Sequence, residues 1–400
     1  MTVLSSEFSK ELLDKVREET PGVNTSLHLD NCGSALMPGP VINALEQHLA
    51  QEIYHGGYVA QAQQFEALEG AYGAIAALLG AQRDEMALTG SAVEAWAKAF
   101  YSIPFQDGDN LVTAFNEYCS NFVSFLQQAR RHGVEIRVAR AGPDGELDLD
   151  HLASLIDSRT RVVAVAQVPS SSGQLNPVHE IGRITRERGV LYLLDACQAV
   201  GQMPVNVDDI GCDMLTGTSR KFLRGPRGVG YLYVKKEILS ELDPVFLSNQ
   251  AAEWVGDYDY KLRTDAGVFE DWERSVVNQL GFGAAVRYLQ AIGPERCYKR
   301  TQAIANNLRS RLYSIPGVIP TCPQNAPAAI ITFNKEGLDA MEVKVRLAQQ
   351  GINVQVASVV HTRLDLDARG IATTVRVSPH YYNADDEIDR FLSAVEALKT

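Results

Sequence analysis

The chain has 400 residues, 46% hydrophobic and 22% charged, an ordinary globular composition with room for two or three domains. Its 37 basic and 49 acidic side chains leave a formal charge of −12, and without a long basic run that excludes nucleic acid as the expected partner. The apolar stretches fall short of the roughly 20 residues that cross a bilayer, and the charged start MTVLSSEFSKELLDKVREE carries no apolar leader core, so a cytoplasmic protein with no membrane contact is expected.

In chain order, an N-terminal helix or arm over 1–25 precedes helical periodicity at 40–52 and 64–79, where Phe65, Leu68, Ala71, Tyr72 and Ile75 share one face. Short apolar runs bounded by turn signals then follow at 86–89, 110–115, 135–138, 161–168, 190–195, 213–217 and 228–234. Helix-patterned segments at 94–100, 121–132, 148–156 and 178–188 separate several of them. Continuous apolar strands alternating with helices predict an α/β domain over 26–260 whose sheet is mostly parallel and covered on both faces. Beyond it the rhythm changes to helices at 274–292 and 295–313, a strand at 328–333, a helix at 338–349 and a terminal helix at 385–399. That pattern predicts a smaller α+β domain over 261–400. The six cysteines are scattered without a CxxC, which argues against a disulfide framework, and the eight dispersed histidines give no metal site.

The segment 191–234, LYLLDACQAVGQMPVNVDDIGCDMLTGTSRKFLRGPRGVGYLYV, carries the chemistry. One apolar run ends in Asp195, and Lys221 follows the next run, ahead of the turn Arg224-Gly225-Pro226. Taken singly, Asp195 reads as a helix cap and Lys221 as a solvated loop residue. Together, a carboxylate and an amine at the carboxyl ends of neighbouring parallel strands lie where open α/β sheets bind ligands. Pyridoxal 5'-phosphate requires that pair: an amine to bond its aldehyde and a carboxylate to hold a proton on its ring nitrogen.

The ordered motifs LHLDNCGSALMPGPV, NEYCSN, DACQAVGQMPVNV, GTSRKFLRGPRGVGYLYV and VRVSPHYYN resemble those of the class V aminotransferase family of fold-type-I pyridoxal-phosphate enzymes, which includes cysteine desulfurases and isopenicillin N epimerase. The resemblance runs from Leu27 to the C-terminal helix and implies a seven-stranded, mostly parallel sheet. It also implies a homodimer with active sites near the interface. By the same resemblance Lys221 and Asp195 take the roles above, and Gln198 bonds the cofactor's phenolic oxygen. Thr218 and Arg220 meet its phosphate together with the turn Ser91-Ala92-Val93, which opens a helix. Tyr118 stands where relatives stack a histidine on the ring, and Ser170 where desulfurases have asparagine. Arg376 matches the arginine that binds the substrate carboxylate, and Tyr58 and Arg363 are candidates to line the substrate pocket.

The stretch 354–363, VQVASVVHTR, contains no cysteine, although desulfurases carry their sulfur-accepting thiol there. That absence leads to the expectation of a C–S β-lyase acting on an S-substituted cysteine or its sulfoxide without a persulfide-forming cysteine, closest in motifs to the ergothioneine-pathway sulfoxide lyases. In that reading Lys221 removes the Cα proton and Tyr118 protonates or orients the leaving sulfur. Racemisation or epimerisation and transamination share the steps to the carbanion and remain open alternatives.

Overall fold

The computed structural model describes residues 8–399. Its centre is a sheet of seven strands, introduced here with the rest in chain order. After β1 Leu27–His28, which lies outside it, the seven are β2 Met86–Thr89, β3 Asn110–Ala114, β4 Glu135–Ala139, β5 Thr160–Ala166, β6 Leu191–Asp195, β7 Met214–Thr218 and β8 Gly230–Val234. The large sheet runs in the order β2-β8-β7-β6-β5-β3-β4, and only β8 is reversed. The fold is the fold-type-I α/β architecture expected from the motifs.

Side chains alternate between the two faces of this sheet, and both faces are dry. Val112, Val163 and Leu194 point into one apolar core, whereas Leu111, Val162 and Leu193 join a second core with Trp96, Phe100 and Phe125. This double burial is why the strands read as unbroken apolar runs. In the second core the Phe100 and Phe125 rings meet edge to face at 5.2 Å, fastening the helices Ala92–Tyr101 and Cys119–His132 to the sheet.

The remaining strands are β9 Ala252–Gly256, β10 Asp259–Leu262, β11 Val318–Pro320, β12 Ile331–Lys335, β13 Ile352–Asn353, β14 Gln355–Ser358 and β15 Thr373–Val377. β11, β12, β15 and β14 form an antiparallel four-stranded sheet, while β9 and β10 form a separate exposed hairpin. The strand expected at 328–333 begins three residues later. Ala328 and Ala329 are buried, but their N–H groups bond to Gly173 O and the Gln202 side chain instead of a ladder.

The N-terminal segment crosses the molecule. Helix Lys10–Glu18, capped by the Ser9 hydroxyl, sets Arg17 against Glu387 of the last helix at 3.0 Å. β1 pairs in parallel with β13, and Asp30 bridges to Ser378. Residues 30–36 are thereby pinned between the small sheet and the turn that carries Lys221. Among the described residues no helix is long and apolar enough to cross a membrane.

Candidate active site

The carboxyl ends of β2, β3, β5, β6 and β7 open on one side of the large sheet, and a cavity lies there lined by residues from each following turn. Asp195 ends β6, level with Ala166 of β5 and Thr216 of β7. It is buried, and its two oxygens accept from the Cys197 N–H and from Asn121 Nδ2, both at 2.9 Å. Lys221 follows β7 by three residues on a tight turn closed by the Arg224 N–H on Lys221 O at 2.9 Å. Burial pushes the Lys221 ammonium below its ordinary value. The Cys197 thiol and the Asp195 carboxylate oppose that shift, and the Arg220 charge reinforces it.

Ser91 starts the helix Ala92–Tyr101, and its hydroxyl accepts from the Glu94 N–H at 3.1 Å. The amides of Ala92 and Val93, in the first turn, have no acceptor within the helix and lie on the cavity wall. β8 passes so close that a Cβ on Gly230 would stand 2.2 Å from the Ser91 carbonyl carbon, so only glycine fits there. Arg220 donates to Gly33 O, and the Thr218 hydroxyl lies 3.5 Å from Val229 O. Tyr118 begins the helix Cys119–His132 on the cavity wall; burial pushes its phenol above the ordinary value.

Several buried polar atoms at this cavity lack any protein partner. Gln198 gives Nε2 to Cys32 O at 3.2 Å, yet its Oε1 is unpaired, as is the Ser170 hydroxyl. Unsatisfied buried groups clustered on one cavity are what a polar ligand would satisfy. Amine, strand-end carboxylate, helix-start amides with two basic or hydroxyl neighbours, and a facing aromatic ring together fit pyridoxal phosphate. Among the described residues no group of three or more metal-ligating side chains converges.

The structure therefore brings Ser91, Ala92, Val93, Tyr118, Ser170, Asp195, Gln198, Thr218, Arg220 and Lys221 to a single cavity. Arg376, on β15, stands at its edge: Nη1 donates to Ser170 O at 3.2 Å, and Nη2 lies 3.5 Å from Asp30. Its charge reaches the Cys32 thiol and, with burial, depresses His361. Tyr58 and Arg363 do not join this cavity. Tyr58 is 70% exposed beside a separate cleft with Trp272 and Arg274, and Arg363 lies along the surface, 3.5 Å from Asp367. The motifs proposed them from neighbouring sequence, but the chain turns both outward.

Sequence reasoning missed Asn121, Glu117, Asp30 and Cys197. Asn121 and Cys197 line the cavity. Each sits inside a motif already singled out, Glu117, Asn121 and Cys197 within three residues of Tyr118 or Asp195 and Asp30 in LHLDNCGSALMPGPV. The available signal was the helical i, i+4 spacing of Glu117 and Asn121.

Residues 27–391 match the model of the family described as aminotransferase class-V. A protein of Methanothermobacter thermautotrophicus described as a probable cysteine desulfurase is 29% identical over 395 residues, covering 96% of this chain and 98% of that one. The solved apo cysteine desulfurase of Thermococcus onnurineus superposes with a TM-score of 0.88 at 26% identity, covering 96% of this chain and 97% of the other. A C-DES variant with glycine linked covalently to its PLP cofactor gives 0.87 at 19% identity over 96% and 99% of the two chains, a likeness of fold. Pyridoxal phosphate is the cofactor of this family. The desulfurase relatives overturn the expectation of a lyase working without a persulfide-forming cysteine. That expectation weighed one loop only. A thiol absent from 354–363 says nothing of thiols elsewhere, and Cys197 lines the cavity while Cys32 lies within reach of the Arg376 and Lys221 charges.

Proposed function

Because the chain belongs to the class-V aminotransferase family, we propose that it is a pyridoxal-phosphate-dependent enzyme that removes sulfur from cysteine, releasing alanine. The observation that carries this reading is the meeting of Lys221, Asp195 and Gln198 at one cavity with the Arg376 guanidinium at its edge. The desulfurase relatives supply the substrate class.

When bound, the cofactor supplies an electron-accepting ring joined to the substrate amine. This chain's residues do the rest. Asp195, held by Asn121 and the Cys197 amide, keeps a proton on the ring nitrogen. Arg376 binds the substrate carboxylate through its two-pronged guanidinium, and Asp30 and Ser170 O fix its plane. Lys221 holds the cofactor and, once free, moves the proton at Cα, a task suited to an amine depressed by burial. The Ala92 and Val93 amides and Arg220 would hold the cofactor's phosphate, and Tyr118 would provide an aromatic wall for its ring.

The chemistry balances with one acceptor thiol. Its sulfur bonds to the substrate sulfur as the Cβ–S bond breaks, and that bond's electron pair stays with carbon. Carbon takes up a proton and leaves as alanine, and the thiol becomes a persulfide. We assign the acceptor to one of two thiols, Cys197 on the cavity wall and Cys32, whose carbonyl is held by Gln198. Burial raises both above the ordinary thiol value, and the Asp195 carboxylate at Cys197 and Asp30 at Cys32 add to the rise; the Arg376 and Lys221 charges oppose it at Cys32, and Lys221 and Arg220 oppose it at Cys197.

The reading includes a homodimer in a reducing, cytoplasmic setting. It is supported by six free thiols and by exposed apolar side chains at Ile53, Tyr54, Tyr58, Trp254, Tyr258 and Trp272. The test is incubation with cysteine followed by peptide mapping. Alanine together with a persulfide on Cys197 or Cys32 supports the assignment. Alanine with unmodified thiols in the wild type and full turnover in the Cys32→Ala, Cys197→Ala double variant would remove both from the mechanism.

A further inference from the structure

Behind Asp195 lies a second carboxyl group that the proposed chemistry leaves unused. Glu117 is 3% exposed, between β3 and the helix Cys119–His132. Its Oε1 accepts from the Tyr118 N–H at 2.8 Å and from Asn121 Nδ2 at 2.9 Å. Its Oε2 accepts from the Ala166 N–H at 2.8 Å and, more weakly, from the Thr113 hydroxyl at 3.4 Å. The same Asn121 Nδ2 donates to Asp195 Oδ2 at 2.9 Å. One primary amide thus spends both of its N–H bonds on two buried carboxyl groups, one of which faces the cavity.

We propose that Glu117 is a positioning residue for the cofactor: through Asn121 it fixes the orientation of the Asp195 carboxylate toward the ring nitrogen. The inference rests on the pyridoxal-phosphate reading of the cavity. A purely structural staple joining β3, β5 and the helix explains the backbone bonds of Glu117. It does not explain why the shared donor is aimed at Asp195, when a neutral side chain would have satisfied Asn121 without setting two carboxyl groups near each other in the interior. The price of the arrangement is visible in Glu117 itself, whose acid is pushed up to about 8, first by burial and then by the Asp195 charge. The groups facing it are Asp195 and Tyr192 from β6, Tyr118 and Asn121 from the helix start, Thr113 from β3 and the Ala166 amide from β5.

The experiment compares wild type, Glu117→Gln, Glu117→Asp and Asn121→Ala as holoproteins. The readouts are the dissociation constant of pyridoxal phosphate and the pH midpoint of its visible band. An amide at 117 places an N–H group where the carboxyl group accepts, which turns Asn121 and loosens Asp195, so Glu117→Gln is expected to move the midpoint to lower pH and weaken retention about tenfold. Glu117→Asp, which keeps a carboxyl acceptor for Asn121, is expected to restore the midpoint. Asn121→Ala breaks the link while leaving the Glu117 backbone bonds, and is expected to weaken retention; it carries the test if Glu117→Gln fails to fold. Wild-type affinity and midpoint in every soluble variant would overturn the inference while leaving the cofactor reading intact. A wild-type protein that takes up no pyridoxal phosphate would overturn both.

Discussion

Replacing Arg224 by methionine tests how the lysine-bearing turn is held. Arg224 is 1% exposed and has a positive φ of 61°, the left-handed region that costs a side-chain-bearing residue about 1 kcal/mol. Its guanidinium has no carboxylate partner among the described residues. It donates to Leu36 O at 2.9 Å, the Tyr381 hydroxyl at 3.0 Å and Thr20 Oγ1 at 2.6 Å, and lies 4.5–5.7 Å from the rings of Tyr288, Tyr381 and Tyr382. One cation thereby clamps the N-terminal segment and the C-terminal tyrosines to the turn that begins at Lys221. Three charge-assisted bonds at roughly 2 kcal/mol each give a gross loss near 6 kcal/mol. Relief of the buried charge's desolvation returns several kcal/mol, leaving a net loss of about 3 kcal/mol. With an unfolding entropy of about 2.1 cal/mol/K per residue over 400 residues, that lowers the melting temperature by roughly 3–4 °C. Thermal scans of the cofactor-free protein read this directly. A methionine variant that melts at or above the wild-type temperature would refute the clamp, because desolvation would then outweigh the three bonds.

Four other outcomes are expected. Arg376→Gln loses a charge-assisted grip on the substrate carboxylate and should raise KM by about 30-fold with a smaller change in kcat; an unchanged KM would exclude it from substrate binding. Lys221 sits below the ordinary lysine value of 10.5, so the neutral amine that captures pyridoxal phosphate forms at lower pH than for a free lysine. Removing the Arg220 charge in Arg220→Gln should therefore move the pH midpoint of capture upward, and a downward shift would reverse the sign argued here. The same depression means that stability contributed by neutral Lys221 grows as pH rises from the folded value toward 10.5 and is absent below it. Phe100→Ala, in the aromatic core under the helix that starts at Ser91, should cost about 3–5 kcal/mol in stability. For the dimer, Tyr54→Asp with Trp254→Asp should yield monomers in sedimentation; dimers of wild-type stability would place the interface elsewhere.

The large sheet was legible because its inner strands are dry on both faces, which writes them as apolar runs such as 191–194. The hairpin β9–β10 was not, since Trp254, Tyr258 and Tyr260 are exposed and no buried face imposes a period. β1 is two residues long, and its partner β13 lies more than 300 positions away, so no local pattern marks it. At the site, Asp195 and Lys221 were readable because Asp195 closes β6 and Lys221 follows the end of β7 by three residues, and the apolar runs define both ends. Asp30 beside Arg376, and the path from Glu117 through Asn121 to Asp195, depend on side-chain meetings across 346 and 74 positions, respectively, in the latter case from Asn121 to Asp195. Tyr58 and Arg363 lie near recognisable motifs, but the helices that carry them present them to the surface, outside the cavity of Lys221.

The most direct measurement is the fate of carbon-13-labelled cysteine incubated with the holoprotein and followed by NMR. The account predicts labelled alanine, formed in step with sulfur transferred to thiol, and no alanine from Lys221→Ala. Labelled pyruvate in place of alanine, or alanine formed equally well without Lys221, would contradict it.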